Sequence, residues 1–225
     1  MLTVNLSTKI DCDEAFVAWL ERGALAGANS LVLWNGRLTD AAARALAVHP
    51  DAASLRSLDL SWNRIGPDGA RALADGLPGL VSLRLYHNDV GPRGTVAVAN
   101  ARWRLTSLNL CGNGIGVEGA AALARGEATE RLESLHLGWV GLGDRGVARL
   151  AERRWRLLRE LNVRDNEITM AGARTLISDA FPKLRRLGLD DNPLGVEALP
   201  VLRSPAARRI ESINLAGCDV EGRVG

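Results

Sequence analysis

The sequence predicts an α/β solenoid of about eight repeats, with a curved parallel sheet on the concave face and helices on the convex face. Three observations predict it. A Leu-x-Leu pattern returns at a nearly fixed interval, an aliphatic residue follows each copy at constant distance, and a segment of small residues at helical spacing closes each unit. Self-similarity with a period of roughly 20–50 residues is the signature of stacked architectures, in which no unit can bury its apolar face alone.

Segments from Leu55, Leu80 and Leu105 read LRSLDLSWNRIG, LVSLRLYHNDVG and LTSLNLCGNGIG, and the frame continues from Leu132, Leu158, Leu184 and Ile210. A looser first copy, NSLVLWNGRL, starts at Asn29. One equivalent position falls on Leu31, Leu58, Leu83, Leu108, Leu135, Leu161, Leu187 and Ile213, in steps of 25 to 27 residues. The alternation has strand period, so these residues and their i+2 partners point inward and the residues between them point out. An asparagine column follows at Asn63, Asn88, Asn113, Asn166 and Asn192, where an amide can satisfy backbone groups as the chain leaves the strand. Gly36 and Val140 interrupt it, and Cys218 takes its place in the last copy. A second buried column holds Leu38, Ile65, Val90, Ile115, Leu142, Ile168, Leu194 and Val220. Helical segments such as DGARALA from Asp68 and EGAAALA from Glu118 carry acidic residues at their first turn, which suits the helix dipole. Their alanines let each helix lie close to the strand layer. Residues 1–28 are expected to cap the stack with a strand at Val4 and Leu6 and a helix from Asp13 ended by Gly23; residues 29–225 form one continuous repeat domain.

This pattern resembles the ribonuclease-inhibitor-like class of leucine-rich repeats, from about Asn29 to Val220. The Gly-Ala-x-x-Leu-Ala form at Gly69–Ala74 and Gly119–Ala124 is similar to GALA-type repeats of bacterial effectors and to repeats of nucleotide-sensing immune receptors. The resemblance implies a strand and an α-helix in each unit, tolerance of cysteine in the asparagine column, and a protein partner met on the concave face. It also implies two further readings: an enzyme inhibitor or GTPase regulator, and a bacterial effector or ubiquitin-ligase adaptor.

Composition narrows the class. Hydrophobic residues make up 47% and charged residues 24% of the 225, a globular balance. A net charge of +2 is too small to point to nucleic acid or a membrane surface, and neither is expected as a partner. Lys9 and Lys183 are the only lysines, so basic character is carried by arginine. Cys12, Cys111 and Cys218 are too few and too scattered for a disulfide framework and have no zinc spacing. The N-terminal stretch lacks a signal-peptide pattern, and no apolar run is long enough to span a bilayer. The expectation is a cytoplasmic protein, with secretion as an effector the alternative. The chain stops soon after its last strand, and such an uncapped edge would permit self-association.

The outward strand positions define the candidate site. One column runs from Val32 through Asp59, Arg84, Asn109 and His136, a second from Trp34 through Tyr86, Cys111, Arg164 and Asp190, and a strand-exit column holds Trp62, His87, Trp139, Asp165 and Asp191. Four of the nine aromatics lie at these positions. Trp, Tyr and Arg dominate interface hot spots. Partner binding is therefore assigned to Trp34, Asp59, Trp62, Arg84, Tyr86, His87, His136, Trp139, Arg164 and Asp190. Local packing of Trp62 and Trp139 beneath the loops is the competing reading. Trp103 and Trp155, each in an RWRL segment before a strand, and Phe181 are read as core plugs, and the flanking arginines as solvated edge charges.

Catalysis is not expected. His87, Cys111 and His136 lie on consecutive repeats, which sets the two histidines roughly 10 Å apart. That is too far for one metal without inward-bending side chains. There is no GxxxxGK[ST] or strand-borne GxGxxG, so no nucleotide, other cofactor or metal is predicted.

Overall fold

Each unit opens with a three-residue strand because only the Leu-x-Leu stretch alternates before the chain turns. In the computed structural model, which describes residues 2–7 and 9–218, there are nine such strands. They are β1 (Thr3–Asn5), β2 (Ser30–Val32), β3 (Ser57–Asp59), β4 (Ser82–Arg84), β5 (Ser107–Asn109), β6 (Ser134–His136), β7 (Glu160–Asn162), β8 (Arg186–Gly188) and β9 (Ser212–Asn214). They form one parallel sheet in chain order. The register follows the leucine column: Leu31 pairs with Leu58, Leu58 with Leu83, Leu83 with Leu108, and so on to Leu187 with Ile213. Val4 joins that column opposite Leu31. Parallel strands need a crossover, and a helix supplies each one. These are α1 (Asp13–Glu21), α2 (Asp40–Val48), α3 (Pro67–Gly76), α4 (Gly91–Asn100), α5 (Gly116–Arg125), α6 (Gly143–Leu150), α7 (Met170–Leu176) and α8 (Ala198–Leu202). Every α-to-β connection therefore lies on one side of the sheet and every β-to-α connection on the other. Val220 and the tail beyond it, for which the sequence made expectations, fall outside the described residues.

The core is continuous along the stack. Leu31, Leu58, Leu83, Leu108, Leu135 and Leu161 are fully buried, as are Leu38, Ile65, Val90, Ile115 and Ile168 behind them. Each buried leucine contributes about 1.5–3 kcal/mol. Trp103, Trp155 and Phe181 are buried midway along their α-to-β connections. The indole N–H of Trp103 donates to the Leu77 carbonyl and that of Trp155 to the Leu150 carbonyl at 2.8 Å, so both rings seal the layer with their polar atom satisfied.

Polar ladders hold successive units in register. Asn113 Nδ2 donates to the carbonyls of Leu85 (2.7 Å) and Leu110 (3.0 Å), while its Oδ1 accepts from Val90 N–H at 3.1 Å. Asn63, Asn88, Asn166 and Asn192 repeat the arrangement. Cys218 is buried and its thiol donates to the Leu189 carbonyl at 2.9 Å, in the manner of the asparagines. Val140 packs in the core instead of bonding, and its N–H donates to Asn166 Oδ1. A second ladder uses the acidic first-turn residues. Asp144 Oδ1 accepts from the N–H groups of Thr169 (2.9 Å) and Gly172 (3.0 Å) in the next unit, and Asp40 Oδ1 accepts from Gly66 N–H at 2.6 Å. These carboxylates thus join neighbouring helices besides meeting their own dipole.

Candidate functional site

The site is built where the chain leaves each strand. The exit residue of every repeat has a left-handed backbone: φ is 61° at Asn35, 57° at Trp62, 49° at His87, 69° at Gly112, 56° at Trp139, 49° at Asp165, 58° at Asp191 and 70° at Gly217. Turning from a short strand into the helix layer demands this conformation. Glycine, asparagine, aspartate and histidine tolerate it; a bulky tryptophan there is an outlier that costs roughly 1–2 kcal/mol. Six of the eight positions carry the tolerant types, and Trp62 and Trp139, on either side of His87 in the column, do not.

These three side chains meet. Trp62 stacks on His87 with ring centroids 4.0 Å apart and planes 17° from parallel. Tyr86 closes edge-on to Trp62 at 5.3 Å and to His87 at 4.5 Å. His87 contacts Trp139 edge-on at 5.6 Å, although a whole repeat separates them. Gly112, between them in the column, makes that contact feasible: a Cβ there would come within 3.2 Å of His87 Nδ1. The Arg164 guanidinium lies 4.7 Å from the Trp139 ring centre, and the Trp139 indole N–H donates to Asp165 Oδ2. Trp62 stays 49% exposed and Trp139 42%, so the rings pack against one another without leaving solvent. His87 Nε2 is buried and has no hydrogen-bond partner among the described residues. Beside Trp62 and His87 opens a cleft of about 380 Å³, also lined by Asn35, Arg37, Arg64 and Asp89.

The other assigned residues form separate groups. Trp34 is 42% exposed and joins no ring pair among the described residues; its backbone N–H donates to Ser7 Oγ at 3.3 Å. On the sheet surface, Arg84 approaches Asp59 at 3.9 Å, while Asp59 Oδ1 accepts from Ser61 Oγ at 2.6 Å. Arg164 Nε stands 3.9 Å from Asp190, which is nearly buried and also accepts from Asn214 Nδ2 at 3.1 Å. His136 lies apart from the aromatic cluster. Its Nε2 is 2.9 Å from Ser134 Oγ and 3.8 Å from Glu160 Oε1, and Glu160 in turn holds Arg186 at 2.8 Å. Both serine and glutamate face the same ring nitrogen, so this is not a relay that could activate the hydroxyl. Burial lowers the His136 pKa; Glu160 opposes the shift, and Arg84 and Arg186 reinforce it. Burial raises the Cys111 pKa, against the Gly138 N–H that donates to its Sγ at 3.0 Å.

Sequence reasoning missed three contributors. Gly112 falls in the strand-exit column by sequence, but its role as the gap through which His87 reaches Trp139 depends on how the rings lean. Glu160 and Ser134 sit one residue before the leucine column, at positions the outward-facing columns did not include. Their signal was present, because a residue flanking a three-residue strand on the same face as His136 must share its surface.

Among the described residues, no group of three or more His, Cys, Asp or Glu is placed to hold a metal ion, and no helix is long and apolar enough to cross a membrane. No curated protein matches the chain. The family model described as Leucine Rich repeat matches residues 52–74, 105–124 and 156–176. Those stretches cover the α3 unit, the β5–α5 unit and the β7–α7 unit. With nine parallel strands and alternating helices among the described residues, the fold is that of an α/β leucine-rich-repeat solenoid.

Proposed function

We propose that this chain is a protein-interaction scaffold that engages a folded partner through its concave surface, with Trp62, Tyr86, His87 and Trp139 as the anchor. Leucine-rich repeats generally mediate protein–protein interaction, and such a solenoid is typically a binding scaffold rather than an enzyme. The observation that carries the reading is the strained aromatic run at the strand exits. Two tryptophans occupy left-handed positions at which a glycine would be unstrained, and they pack against His87, whose buried Nε2 has no hydrogen-bond partner among the described residues. Costs of this kind collect where a surface serves binding. The anchor is flanked by Arg164, Asp190, Arg84 and Asp59, whose charges set the register of a partner. Residues 1–28 are read as the N-terminal cap, supported by β1 extending the sheet in register.

The test is affinity capture from host lysate by the wild type and by Trp62→Ala/Trp139→Ala, both checked for fold by circular dichroism. Loss of an anchor worth about 2 kcal/mol lowers affinity roughly thirtyfold, so a partner held by the wild type should vanish from the variant. Equal capture by both would overturn the aromatic anchor. Parallel capture with Trp34→Ala separates the isolated tryptophan from the cluster.

A further inference from the structure

The chain's charges are nearly balanced overall but sorted by the fold. The five α-to-β connections from α4 to β9 carry twelve Arg or Lys against six Asp or Glu. The five β-to-α connections from β4 to α8 carry one basic residue, Arg164, against six acidic ones. Because each kind of connection lies on its own side of the sheet, repeats four to eight have a basic side and an acidic side. On the basic side, Arg153 and Arg209 are tied to backbone carbonyls, and Arg159 and Arg185 face Glu133 and Glu211 at 3.8 and 3.5 Å. Arg102, Arg104, Arg154, Arg156, Lys183 and Arg208 are exposed and form no ion pair among the described residues.

We propose that this basic side docks on an anionic membrane surface and presents the aromatic exit edge to solvent. Three features favour a bilayer over nucleic acid. The free cations are spread over successive connections as a broad face, not as a groove that follows a strand. Leu157, between Arg156 and Arg159, is 38% exposed, and an uncovered apolar side chain among arginines suits the boundary between headgroups and acyl chains. The rings that could stack on unpaired bases, Trp103 and Trp155, are buried with their N–H groups engaged. Clusters of four to eight basic residues hold proteins at anionic leaflets through phosphate and carboxylate headgroups. The acidic opposite side is repelled by the same surface, so the polarity sets the orientation. The low net charge of +2 averages over the two sides and does not describe either one.

The test is co-sedimentation of the full chain with sucrose-loaded vesicles of phosphatidylcholine alone or with phosphatidylserine at about 30 mol%, in 100 and 500 mM NaCl. Binding should require phosphatidylserine and weaken at high salt as screening grows. Arg154→Glu/Arg156→Glu/Lys183→Glu should bind at least about tenfold more weakly. Arg44→Glu/Arg71→Glu, on the convex helices, should bind as the wild type does. Circular dichroism confirms the fold of each, and Leu157→Asn, which leaves every charge in place, gives an independent reduction. Absence of phosphatidylserine-dependent binding, or equal binding by the triple variant, overturns the proposal. Tighter binding to a 20-base-pair DNA duplex that competes with vesicles assigns the face to nucleic acid instead.

Discussion

At the scale of single residues, the left-handed exits separate what stabilises the fold from what the surface is for. Trp62 incurs roughly 1–2 kcal/mol by its backbone conformation, and its ring contacts with Tyr86 and His87 return about 0.5–1.5 kcal/mol each. Trp62→Asn exchanges a strained residue for a tolerant one while losing those contacts. Its unfolding free energy from urea denaturation should therefore stay within about 1 kcal/mol of the wild type while partner capture is lost. A fall of more than about 2 kcal/mol would identify the ring as structural. His136 gives a pH signature. Its folded pKa lies below the ordinary value, so between the two values the unfolded chain binds the extra proton. Stability is fully present above the unfolded value, near 6.5, and declines as pH falls towards the folded one. Melting temperatures measured between pH 5 and 8 should fall on the acid side for the wild type and less for His136→Gln. Identical profiles would remove the burial effect.

At the scale of elements, two contacts carry the repeat-to-repeat fit. Asn113 satisfies two buried carbonyls and one buried N–H across adjacent units. Asn113→Ala orphans all three and should cost at least about 2 kcal/mol in chemical denaturation. Between helices, Gly126 lets α5 end against α4: a Cβ there would stand 2.2 Å from the Ala99 carbonyl oxygen. Gly126→Ala should destabilise by about 1–3 kcal/mol, since the obstacle is backbone and cannot swing aside. An unchanged denaturation midpoint in either variant would show that the stack relaxes along its axis. The asparagine column was legible as periodicity because its amide answers a backbone need that recurs in each unit. The reach of Asp40 and Asp144 onto the next helix was not, because it depends on the distance between helices.

At the scale of the molecule, stability is a sum over neighbours, and the middle of the stack is its weakest place to lose one. Leu108 is fully buried between Leu83 and Leu135. Leu108→Asp would place a charge there without a partner and should unfold or aggregate the chain, read by circular dichroism and size exclusion. A folded variant would mean that the register is wrong. The same neighbour geometry makes side chains far apart in sequence into one surface, since each repeat returns the chain to the same edge.

The sequence by itself determined the repeat frame, the inward leucines and the buried Trp103, Trp155 and Phe181, because each follows from a local period or an obligatory backbone bond; it left Trp62 and Trp139 open between exposure and local packing. The tertiary structure decided which of the outward residues meet. It joined Trp62, Tyr86, His87 and Trp139 across Gly112, left Trp34 alone, and gave His136 to Glu160, because side-chain lean and inter-strand spacing are not written in the period. It also divided a nearly neutral charge set into a basic and an acidic side, since parallel crossovers place all connections of one kind on one side of the sheet.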